Sequence, residues 1–192
     1  MTLTETPICN FGERPKNFDL LSTENKKISL NDVKGKNGTL IMFICNHCPY
    51  VKAVIKDIVE DVKYLENLGI KALAIMSNDV KNYPDDSFEN MISFSKLNEF
   101  SFPYLIDETQ NVAKEYGAVC TPDFFGYNKN LELQYRGRIR ELKDLKIALE
   151  EAKKNNSPLP ITKIIDGYYE EIQKMGGNRW DTSSLIRRFR IK

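Results

Sequence analysis

The apolar run Leu40-Ile41-Met42-Phe43-Ile44 empties directly into Cys45-Asn46-His47-Cys48-Pro49. Val51, Val54, Ile55, Ile58, Val59, Val62 and Leu65 then follow the i, i+3, i+4, i+7 spacing of an amphipathic helix. The spacing therefore predicts a buried strand, two thiols at its end, and a helix that opens on Pro49, a residue suited to the first helical position because no N–H is needed there. Few chain paths accept that order. A helix N-terminus presents unpaired N–H groups and the positive end of its dipole, and both favour a thiolate over a thiol. Cys48 falls at or beside the N-cap, whereas Cys45 falls at the last strand residue or just beyond it. Cys48 is thus expected to be the more acidic thiol, with Cys45 as its companion.

The pattern on either side of this segment alternates strands and helices. Asn17 to Leu21 and Lys26 to Leu30 read as a hairpin around Ser22-Thr23-Glu24-Asn25. After the helix, Gly69 marks a stop and Ile70 to Met76 reads as a buried strand, closing a β-α-β unit with parallel pairing. Ser87 is placed to cap a helix running to Asn98, with Phe88, Met91, Ile92 and Ser95 on one face. A short strand follows at Tyr104-Leu105-Ile106, then a helix from Thr109 to Tyr116 closed by Gly117. Phe124 to Tyr127 and Leu131 to Tyr135 flank Asn128-Lys129-Asn130 as an antiparallel hairpin. Leu142, Leu145, Ala148, Leu149 and Ala152 mark a last domain helix.

The 192 residues allow one domain, read as residues 8–154, and a C-terminal extension, residues 155–192, that holds a helical pattern and a basic tail. That extension either docks on the domain or makes a homodimer contact. The formal net charge is +1, so no excess of either sign points to nucleic acid or a membrane surface. The N-terminus has no basic flank followed by an apolar stretch, and no run approaches the ~20 apolar residues of a membrane span. A cytoplasmic location is the resulting expectation. Thiols stay reduced there, so four cysteines, two of them in C-x-x-C, read as redox or metal chemistry instead of a disulfide framework. Tetrahedral zinc takes four ligands, and a single histidine beside two well-spaced cysteines makes a poor set; no metal and no cofactor are expected.

Two strings, Asn46-His47-Cys48-Pro49-Tyr50-Val51-Lys52 and Tyr116-Gly117-Ala118-Val119-Cys120-Thr121-Pro122-Asp123, together with the order of elements, resemble the thioredoxin-like superfamily. Within it they are most similar to the peroxiredoxin-like branch of alkyl hydroperoxide reductases and thiol-specific antioxidants. The resemblance implies an α/β, three-layer thioredoxin-like fold with a mixed central sheet, an N-terminal hairpin and helices on both faces. It further implies that the Thr121–Pro122 bond is cis and lies against the reactive cysteine, leaving the Thr121 backbone free to pair with a substrate. Laid on a thioredoxin, Cys48 takes the place of the attacking cysteine and Val51 that of its resolving partner, so the C-x-x-C string is displaced by three residues. Laid on a peroxiredoxin, Cys48 matches the peroxide-attacking cysteine, but Cys45 stands where the peroxide-orienting threonine belongs. Arg136 or Arg138 resembles the arginine that lowers the cysteine pKa in that family.

The function implied is a thiol-disulfide oxidoreductase or thiol-dependent antioxidant enzyme. Cys48 is its nucleophile, Cys45 or Cys120 the resolving thiol, and Thr121, Pro122 and His47 line the substrate site. Its substrate is a protein disulfide or a peroxide, and its reductant a thioredoxin- or glutathione-type partner. The alternative is a peptide-binding or redox-sensing module that keeps the fold without turnover. Cys9 reads as a bystander or a late resolving thiol, Tyr83-Pro84-Asp85-Asp86 as a polar loop, and Arg187-Arg188-Phe189-Arg190 as a solvated tail.

Overall fold

A computed structural model describes residues 9–138. The expected helix around Leu142 to Ala152, the extension from residue 155 and the basic tail lie outside the described residues. Seven strands form one mixed sheet in the order β2-β1-β5-β4-β3-β6-β7. β1 (Asp19–Ser22) and β2 (Lys27–Ser29) make the N-terminal hairpin, with Asn25 in the left-handed conformation at its turn. β3 (Gly38–Phe43), β4 (Ile70–Met76) and β5 (Tyr104–Ile106) run parallel, in registers such as Ile41 opposite Leu73 and Ala74 opposite Tyr104. β6 (Asp123–Asn128) returns antiparallel to β3, with Phe43 opposite Asp123, and β7 (Leu133–Arg138) closes the edge.

The central strands carry apolar residues on both faces because helices cover both sides, the usual reason that parallel strands read as continuous hydrophobic runs. One face gathers Ile41, Phe43, Leu73, Ile75, Leu105 and Phe125 against Val112, Ala113 and Tyr116 of α3 (Asn111–Tyr116). Period-two alternation turns Met42, Ala72, Ala74, Met76 and Tyr104 to the other side. There α1 (Pro49–Asn67) buries Val51, Val54, Ile55, Ile58, Val59 and Val62, and α2 (Phe88–Leu97) buries Met91. Gly117 ends α3 at φ 63°, a left-handed position that costs glycine nothing. Ser87 caps α2 by accepting from the Asn90 N–H.

β3 stops at Phe43, so Cys45 lies beyond the strand; Ile44 still donates its N–H to the Ile75 carbonyl at 3.0 Å, and the chain leaves the sheet after that bond. Both cysteines therefore occupy the loop between the carboxyl end of a parallel strand and a helix N-terminus, where open α/β sheets form their clefts. Among the described residues no helix is long and apolar enough to cross a membrane.

Candidate active site

Cys48 is the N-cap residue of α1, with Pro49 following at the first helical position. Its sulfur lies 3.3 Å from the Thr121 carbonyl, to which the thiol donates, and the Cys45 sulfur lies 3.1 Å from Thr121 Oγ1. The Thr121–Pro122 bond is cis. Both cysteines are buried, Cys48 5% exposed and Cys45 1%, so the more accessible sulfur still offers only a narrow opening. The Thr121 carbonyl is occupied only while Cys48 is protonated; the thiolate has no proton to donate to it.

The two thiols divide their acidity. A hydrogen bond from Cys45 is the largest influence on Cys48, and with the Val51 and Tyr50 N–H groups and the Thr121 side chain it outweighs burial, bringing the Cys48 thiol down to about 5. The same shared bond holds the Cys45 proton in place, and burial and the nearby Asp86 charge add to it. Cys45 is pushed far above the ordinary thiol range. One sulfur is thus a thiolate near neutral pH and its neighbour a proton donor to it.

The loop that carries these sulfurs is fastened by a residue the sequence reading left in a polar loop. Asp86 ends a 3-10 turn (Pro84–Asp86) and is fully buried. Its Oδ1 accepts the Asn46 N–H at 2.7 Å and the His47 N–H at 3.2 Å; its Oδ2 accepts Asn78 Nδ2 at 2.8 Å and pairs with His47 Nδ1 at 2.6 Å. Asn46 is held twice more, donating to the Asp85 carbonyl at 3.0 Å and accepting from the Tyr104 hydroxyl at 3.0 Å. The His47 ring stacks on Tyr83 with centroids 4.9 Å apart and planes 2° from parallel. Cys45 Sγ, a His47 ring nitrogen and an Asp86 oxygen lie within 4.8 Å of one another. Within this cluster His47 and Asp86 are bonded to each other, and Cys45 is bonded to Thr121.

The other candidates are placed differently. Cys120 is half-buried on the loop with Thr121, but the sulfur that shares Thr121 with Cys48 is that of Cys45. Cys9 packs against the core on the α3 side, beside Tyr127. Arg136 does not act on Cys48: its guanidinium donates to the Gly117 carbonyl at 2.6 Å, pairs with buried Asp123 at 3.3 Å and lies 4.6 Å from the Phe125 ring centroid. Buried ion pairs of this kind hold a charge that is costly to leave alone, and this guanidinium is already committed.

The seven-stranded sheet and the paired thiols at the head of α1 define a thioredoxin-like protein of the thiol-based oxidoreductase class. The chain belongs to the AhpC/TSA family, whose family model matches residues 11–142. Over 156 residues it is 30% identical to the thiol-disulfide oxidoreductase ResA of Bacillus thuringiensis, covering 77% of this chain and 79% of that one. A shorter stretch of 46 residues is 59% identical to an uncharacterized oxidoreductase of Shewanella frigidimarina, 24% of this chain but only 16% of the relative. Among solved structures, an uncharacterized conserved protein from Geobacillus kaustophilus aligns with TM-score 0.70 and 42% identity over 72% of this chain and 74% of its own.

Proposed function

We propose that the protein catalyses thiol-disulfide exchange, with Cys48 as the attacking thiolate and Cys45 as the resolving thiol. The observation that carries this reading is that both sulfurs converge on Thr121 at the head of α1, Cys48 Sγ 3.3 Å from its carbonyl oxygen and Cys45 Sγ 3.1 Å from its Oγ1, with the Cys48 thiol lowered and the Cys45 thiol raised. A disulfide substrate would be attacked by Cys48 to give a mixed disulfide, and Cys45 would then displace the substrate thiol, leaving a Cys45–Cys48 bridge for an external reductant to reopen. The geometry supports a disulfide better than a peroxide, because Cys45 occupies the place of the hydroxyl that orients peroxide in the family and Arg136 is bound to Asp123. Thr121 and Pro122 form the wall against which a substrate would lie. The proposal is tested with insulin reduction driven by dithiothreitol. Cys48→Ser abolishes the activity, Cys45→Ser accumulates a mixed disulfide on Cys48, and Cys120→Ser retains turnover. Loss of activity on Cys120→Ser with an intact Cys45→Ser enzyme would move the resolving role to Cys120.

A further inference from the structure

Resolution by Cys45 releases a proton inside the protein. On the reading above, the Cys45 sulfur bonds to the Cys48 sulfur, the bond from Cys48 to the substrate sulfur breaks, and the leaving thiolate takes that electron pair. The substrate disulfide is reduced, the two protein thiols are oxidised, and the Cys45 proton must be received somewhere. Cys45 is 1% exposed, so bulk water is a poor first acceptor. The groups around it come from four elements. Cys48 heads α1, Thr121 lies on the loop before β6, Tyr104 stands on β5, and Asp86 and His47 form the bonded pair. Cys48 is consumed in the reaction. Thr121 is a neutral hydroxyl, and the fully buried Tyr104 phenol, held far above its ordinary pKa by burial, already donates to Asn46.

We infer that the Asp86–His47 pair accepts the Cys45 proton during resolution and that His47 returns it to solvent. The pair lies within 4.8 Å of Cys45 Sγ, a gap that one bridging water spans. Asp86 is 0% exposed, whereas the His47 side chain is 30% exposed, so the pair connects a buried end to a wet one. The Nδ1 contact fixes the ring, and the Tyr83 stack holds its plane. The inference rests on Cys45 being the resolving thiol.

The test uses the full chain carrying Cys9→Ser and Cys120→Ser, reacted in stopped flow with dithiobis-nitrobenzoate. Attack by Cys48 releases one nitrothiobenzoate and resolution by Cys45 releases a second. His47→Gln is expected to slow the second release, relative to the first, by about 100-fold at pH 7, since a positioned base contributes about 10²–10⁴ in rate. The slowed phase should rise in proportion to hydroxide, and Asp86→Asn should shift it in the same direction. Added imidazole should restore it in His47→Gly, an effect a purely structural role would not give. A second release in His47→Gln within about threefold of the parent, with an unchanged pH profile, would overturn the inference. Cys45→Ser separates the two readings: it should stop after one release, and a persisting second release would sink the assignment of Cys45 and the relay with it.

Discussion

Cys45→Ala should make Cys48 a weaker acid, and the size of the change follows from the site. The Cys48 thiol sits at about 5, with the Cys45 hydrogen bond as the largest cause. At pH 6 such a thiol is about 90% ionised against about 0.3% for an ordinary thiol near 8.5, a gain of about 300-fold in thiolate. A thiolate of lower pKa is also a poorer nucleophile, and with a Brønsted slope of about 0.4–0.5 the loss over that span is about 25–55-fold. The net advantage of Cys48 at pH 6 is therefore about tenfold. A hydrogen bond to an ionised group contributes about 1.5–3 kcal/mol, which at about 1.36 kcal/mol per pH unit moves the midpoint up by about one to two units in Cys45→Ala. The assay is the rate of reaction with dipyridyl disulfide from pH 4 to 9 in a chain lacking Cys9 and Cys120. A midpoint that stays near 5 in Cys45→Ala would refute the role given to the shared hydrogen bond. A wild-type midpoint in the ordinary thiol range would refute the account of Cys48 altogether.

Further consequences can be measured on the fold itself. Because the folded-state pKa of Cys48 is depressed below the unfolded value of about 8.5, its contribution to stability is fully present above that pH and is lost as pH falls through about 5. The urea midpoint should therefore decline from pH 8.5 to 5 more steeply in the wild type than in Cys48→Ser; parallel slopes would contradict this. Asp86→Ala orphans the N–H groups of Asn46 and His47 and should cost about 2–6 kcal/mol in urea unfolding, at about 1–3 kcal/mol per buried donor. A loss below about 1 kcal/mol would show that water replaces the carboxylate at little cost.

The order of elements was legible because each signal is local. Period-two and 3.6-residue patterns placed β4 at Ile70–Met76 and α1 from Pro49, and Ser87 and Gly117 marked a start and a stop within a few residues of the helices they bound. Cys48 at a helix N-terminus was readable for the same reason. Asp86 was not: its two backbone partners, Asn46 and His47, lie 40 and 39 residues away in sequence, and Pro84-Asp85-Asp86 has the composition of any solvated turn. Only the fold, by setting the loop after β4 beside the loop after β3, makes its burial tolerable. A faint cue was present in the adjacent acidic pair with Asn78 and Asn82 nearby and no basic residue beyond Lys81. Of the two candidate arginines, the Arg138 side chain lies outside the described residues, and the pattern shows Arg136 near the late hairpin but not that Asp123 and Phe125 share its face.

The bonds converging on Asp86 tie the thiol loop to the segment between β4 and α2, so neither can open alone. Backbone amides of Asn46 and His47 report on that segment as much as on their own loop, and in hydrogen exchange the two stretches should behave as one cooperative unit with a common opening free energy. Reactivity at the head of α1 is then governed by a remote latch. Any partner that pulls on residues 77–86 would change how the sulfurs meet without touching them.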